Sequence, residues 1–133
     1  MTKNQRMAEF YQRAERYGIS AVDIEALRRI EMTLHRWSER ECNGDVERDE
    51  KTGKTYGVYG QNSPSGTITR YRVPDRESGA LRRLKDIMAR YPQYEAHHQG
   101  DPRGCALYLV PRKDLEGGKD ISAYYDRGFA VCY

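Results

Sequence analysis

"TITRYRVPDRESGALRRLKDIMARYP", residues 67–92, is the stretch whose reading decides the fold, because its hydrophobic period changes part-way along. In TITRYRV, Thr67, Thr69, Tyr71 and Val73 alternate with Ile68, Arg70 and Arg72, the two-residue period of a strand. After Pro74 the spacing lengthens. Leu81, Leu84, Met88 and Tyr91 recur at the three- and four-residue steps of an amphipathic helix, which Asp75 or Ser78 can cap and Pro92 ends. A strand feeding straight into a helix calls for both kinds of layer in one domain.

Working towards the N-terminus, two more segments show the same stripe. Met7, Phe10, Ala14 and Tyr17 predict a first helix that Gly18 stops, and Leu27, Ile30, Leu34 and Trp37 predict a second. Ser20 is its expected cap, with Asp23 three residues on, Ile19 and Ile24 at staple positions, and Asn43-Gly44 as the exit. DVERDEKTGKTYGVYG (45–60) then reads as a hairpin, with Val46 and Arg48 before the turn and Tyr56 and Val58 after it. QNSPSG (61–66) is a loop.

Towards the C-terminus, YEAHHQ (94–99) and CALYLV (105–110) flank the turn GDPRG (100–104). CALYLV is apolar on both faces and belongs in the centre of a sheet. RKDLEGGKD (112–120) reads as a surface loop, DISAYY (120–125) as a helical turn capped by Asp120, and GFAVCY (128–133) as a closing strand. The expected fold class is α+β: two N-terminal helices, then an antiparallel sheet of about five or six strands with one long amphipathic helix packed on it. Residues 1–133 form a single domain, helical over 1–44 and sheet plus helix over 45–133.

Composition narrows the function classes. Eleven tyrosines against two phenylalanines suit half-buried sheet and contact surfaces, where a ring packs while its hydroxyl stays wet. No run approaches the roughly 20 apolar residues that span a bilayer. MTKNQRMAEF lacks the apolar centre of a signal peptide, so a cytoplasmic protein is expected. Cys42, Cys105 and Cys132 are odd in number and lack short spacing; they read as reduced thiols, Cys105 in the core, with no metal and no cofactor expected. The net charge is +3, and residues 76–91 alone carry that excess, with five basic groups against two acidic.

That placement nominates a site. With the stripe of the third helix turned inward, Arg82, Arg83, Lys85 and Arg90 cover its outer face and flanks, and Arg76, Arg70 and Arg72 extend the basic surface. Such a face is either a solvated helix surface or one that meets an anion, with tyrosines near enough to stack on bases. No zinc-finger spacing, RNA-recognition signature or helix-turn-helix accompanies it. The tip of the 97–105 hairpin, with Gln99, Asp101 and Arg103, is a second contact candidate.

The same hairpin holds the enzymatic alternative, a group drawn from His97 or His98 with Cys105 or Asp101. Adjacent strand residues point to opposite faces, so one histidine at most faces Cys105 unless a bulge intervenes. Cys105 also opens an apolar strand, where burial raises a thiol pKa. His35 and Glu39 stand at i, i+4, a spacing that reads as a helix-stabilising surface pair ahead of an acid–base couple.

Four pieces, LHRWSERECNG, PDRESGALRRLKDIMARYP, HHQGDPRGCALYLV and SAYYDRGFAVCY, resemble in this order a family of small phage and prophage proteins of Gram-negative bacteria. The resemblance spans roughly residues 33–133, leaves the first helix outside, and carries over no catalytic residues. It implies an accessory protein acting in the host cytoplasm. The expected function is therefore non-enzymatic: binding of a host protein, nucleic acid or nucleoprotein complex, with anti-CRISPR or other anti-defence inhibition as the implied role. A phage structural or assembly protein is the further alternative. A DNA mimic is excluded, since mimicry needs a strongly negative surface.

Overall fold

A computed structural model describes residues 1–37, 45–62, 64–66, 68–98, 105–115 and 128–133. Along the chain come α1 (Lys3–Arg16), α2 (Ala21–Arg36), β1 (Asp45–Arg48), β2 (Thr55–Asn62), β3 (Ile68–Pro74), α3 (Arg76–Met88), β4 (Tyr94–His97), β5 (Tyr108–Pro111) and β6 (Phe129–Ala130). The α+β class holds. The expected single sheet does not, because the described strands form two antiparallel three-stranded sheets, β1-β2-β3 and β4-β5-β6. Within each sheet every strand pairs with its neighbour in sequence, and α3 carries the chain away from β3 to pack on α2, so β4 starts a new sheet. Nor is α3 one long helix, since its 13 residues fall short of the 14 of α1 and the 16 of α2.

The helix ends follow local chemistry. Ser20 Oγ accepts the Asp23 amide at 3.1 Å, and Ile19 and Ile24 are both buried beside that cap. At α1 the pair is Thr2 and Gln5, each side chain accepting the other's backbone N–H, and Gly18 leaves the helix at φ +75°. Asp75 caps α3 by accepting the Ser78 amide, and its second oxygen accepts the Thr55 hydroxyl of β2.

The core lies between the helices and one face of the second sheet. Phe10, Ala14, Leu27, Ile30, Leu84 and Ile87 pack with Leu107, Leu109 and Phe129. CALYLV is buried throughout, and β5 is the central strand, as expected from its two apolar faces. On the opposite face Cys105, Tyr108 and Val110 pack with Leu115, which a 3₁₀ turn over Arg112–Leu115 draws inward where a surface loop is expected. The buried stripe of α3 is Ala80, Leu84, Ile87 and Tyr91, rotated from the expected one; Leu81 and Met88 are half-buried at its edge. The small Ala80 lets α3 approach α2 closely, which brings Ile87 into the core.

Among the described residues, one contact joins the first sheet to the end of α2. Trp37, at the end of α2, is buried with its indole against the bare backbone of Gly57 in β2. Several tyrosines fill the gaps elsewhere: Tyr11 and Tyr133 ring Phe10, and Tyr17 lies between Tyr94 and Phe129. Among the described residues, no helix is long and apolar enough to cross a membrane.

Candidate functional site

The rotation of α3 redistributes its basic residues. Arg76 and Arg83 share a helix face with Ala80 and Ile87 and so turn towards α2, which presents Arg29, Thr33 and Arg36 at matching helical steps. Between the two helices lie adjoining hollows of about 240 and 350 Å³. The first is lined by Arg29, Met32, Thr33, Arg36 and Arg76; the second by Ala26, Arg29, Ile30, Thr33, Arg83 and Ile87. All four arginines are exposed, and among the described residues no carboxylate lines either hollow. Like charges brought together from two helices raise the local potential. Met32, 47% exposed, adds an apolar surface among them.

The remaining nominated residues are sorted by the same geometry. Arg82 and Lys85 are exposed on the far side of α3, outside the groove. Arg90 is tied to α2: its guanidinium donates to Asp23 Oδ1 at 2.6 Å, which offsets its charge. Arg72 is likewise occupied, with Glu47 at 3.4 Å and Asp49 at 3.8 Å, and it lies over the Tyr56 ring. Its charge is offset within the first sheet and does not extend the basic surface. Arg70 is placed by its backbone, opposite Gly60. Gln99, Asp101 and Arg103 at the hairpin tip lie outside the described residues, as do Asn43-Gly44, Glu39 and the DISAYY turn.

Arg29 and Arg36 escaped the sequence reading. Their signal was available: with Thr33 they repeat at four and three residues, offset from the apolar stripe of α2. What no single-helix reading supplies is the neighbour they face.

Around the second hairpin, His97 pairs with Tyr108 and is half-buried, while His98 is exposed; the two separate as strand alternation requires. The Cys105 thiol is buried and donates to the Leu107 carbonyl at 3.3 Å. Its pKa is pushed well above the usual thiol range, first by hydrogen bonding with the Cys132 thiol and then by burial. That is the reverse of an activated nucleophile. His35 approaches Glu31, the residue four before it, within 3.9 Å; its expected partner Glu39 lies outside the described residues. Glu31 is itself buried and accepts the Ala106 amide at 3.2 Å; burial holds its carboxyl above the ordinary value.

The fold thus gathers Glu31, Cys105 and Cys132, whose ligand atoms all lie within 4.8 Å of one another. Sequence spacing treats these residues as scattered, since the group joins a helix to two segments far along the chain. No protein-family model, curated protein or solved structure matches this chain.

Proposed function

We propose that this protein binds a polyanion through the α2–α3 groove, as a non-enzymatic accessory protein whose target is a nucleic acid or a nucleoprotein. The observation that carries this reading is the set Arg29, Arg36, Arg76 and Arg83, which converge from two helices on adjoining hollows. A solvated helix face has no need of such convergence, because spreading like charges apart lowers their mutual repulsion. Guanidinium groups suit phosphate in particular, since their planar donors match two oxygens at once. Met32 supplies contact area without demanding a hydrogen-bond partner.

In the phage setting that the sequence resemblance implies, occupation of a host nucleoprotein by this surface would serve an anti-CRISPR or other anti-defence role. Anisotropy titration of a short double-stranded DNA against the full chain, at several salt concentrations, tests the binding. Each phosphate contact releases condensed counterions, so the Arg29→Gln/Arg83→Gln pair is expected to flatten the log–log salt slope by about two. The Arg82→Gln/Lys85→Gln pair, outside the groove, is expected to change the slope far less. Absence of DNA binding at low salt sinks the nucleic-acid reading, and capture of an acidic protein partner by wild type but not by the groove pair would replace it.

A further inference from the structure

We propose that Glu31, Cys105 and Cys132 form a binding site for one divalent cation of the zinc class. The site is independent of the α2–α3 groove. Its frame is the backbone of Ala106 and Leu107: Glu31 accepts the Ala106 N–H at 3.2 Å, while the Leu107 carbonyl accepts both the Cys105 thiol at 3.3 Å and the Val131 N–H at 3.0 Å. One stretch of backbone therefore aligns a residue of α2 with the segments entering β5 and leaving β6, and the three ligand atoms fall within 4.8 Å of one another. Two sulfurs bound to one tetrahedral zinc at about 2.3 Å each stand about 3.8 Å apart. Small side-chain rotations close the group to that spacing.

The donor set selects the ion. Two thiolates exclude magnesium and calcium, which take oxygen ligands, and favour zinc or its spectroscopic stand-in cobalt(II). Binding breaks two S–H bonds and forms two metal–sulfur bonds and one metal–oxygen bond. The two protons leave to solvent, and no electrons move. Two thiolates and one carboxylate around a divalent ion leave one net negative charge, which Arg28 and His35 face. His35 Nδ1 lies 3.9 Å from Glu31 Oε1, at the edge of the three-residue group, and the partial exposure of Cys132 leaves a path for the ion. Without a cation, a buried carboxylate beside two thiols is a costly arrangement in a core. A cation turns the same group into a cross-link between α2 and the second sheet.

The test uses the full chain, purified under reducing conditions, stripped with a chelator and titrated with cobalt(II). The expected result is a thiolate-to-cobalt charge-transfer band that saturates at one equivalent, with two protons released per ion and displacement by zinc. Zinc raises the melting temperature of the wild type. Cys105→Ser and Cys132→Ser abolish the band, Cys42→Ser leaves it intact, and Glu31→Gln weakens affinity by more than about tenfold, the loss seen even for outer-sphere partners. Three results overturn the proposal: no charge-transfer band while the thiols are reduced, a band that survives Cys132→Ser, or one that disappears in Cys42→Ser. If a serine variant fails to fold, the wild-type spectrum, Cys42→Ser and Glu31→Gln still decide.

Discussion

At Gly57 the side chain is missing because the Trp37 ring occupies its place. A Cβ built there would stand 2.1 Å from Cη2 and 2.5 Å from Cζ2 of the indole, and Trp37, 2% exposed, has no room to withdraw. Gly57→Ala is expected to destabilise the protein by about 1–3 kcal/mol, the usual range for an overfilled core. Urea denaturation followed by the fluorescence of the single tryptophan measures it; an unchanged midpoint would contradict the packing. Asp23 is the second telling residue. Its carboxylate accepts the Tyr91 hydroxyl and an Arg90 N–H from just beyond the C-terminal end of α3, and these partners, Tyr91 foremost, hold its pKa below the ordinary carboxylate value. A depressed acid stabilises the fold fully above its unfolded pKa of about 3.9 and loses that contribution as pH falls towards the folded value. Asp23→Asn is therefore expected to be less stable at neutral pH and to lose less stability between about pH 5 and pH 3 than the wild type. Parallel stability–pH curves for the two would exclude this role. The cap at Ser20 was legible in the sequence. The tie between Asp23 and Tyr91 was not, because it joins positions 68 apart and depends on how two helices cross.

Among the elements, α2 was the most legible: its cap, its staple and all four stripe residues fell where the 3.6-residue period puts them. Helix α3 was legible as a helix but its buried face was misread. Leu81 and Met88 are as apolar as the residues that displaced them, and the choice between two overlapping stripes rests with α2, which accommodates Ala80 and Ile87. That one rotation is why Arg83 faces the groove. Gly79 stands in the first half of α3 with ordinary helical geometry, and a Cβ there would meet only Arg83 Nη1, at 3.5 Å. Gly79→Ala is expected to stabilise the protein by about 0.5–1 kcal/mol, since alanine gives up less backbone freedom on folding and the contact is an ordinary one. Thermal melts measure it. A loss of stability would mean that α3 sits closer to its surroundings than these distances allow. Strand order was harder to foresee, since a two-residue period shows that a segment pairs without showing with which sheet.

Over the whole molecule, the two sheets are served differently by the helices. The second packs its core face against residues of all three, whereas the first, among the described residues, is tied to them by the Trp37–Gly57 contact and by Asp75, which accepts from Thr55 in β2 while capping α3. Both candidate sites arise from this arrangement and neither from a local motif: four arginines from two helices in one case, a glutamate and two cysteines from distant segments in the other. A charge count located half of the first site, and nothing in the spacing of cysteines located the second. The walls of the groove are also separated in time during synthesis. Helix α2 emerges from the ribosome bearing Arg29 and Arg36, and the entire first sheet must follow before Arg76 and Arg83 leave the exit tunnel. Until then the nascent chain carries half of the positive cluster and cannot close on an anion. The four-arginine surface is thus completed only late in translation, when the two helices that order it can pack together.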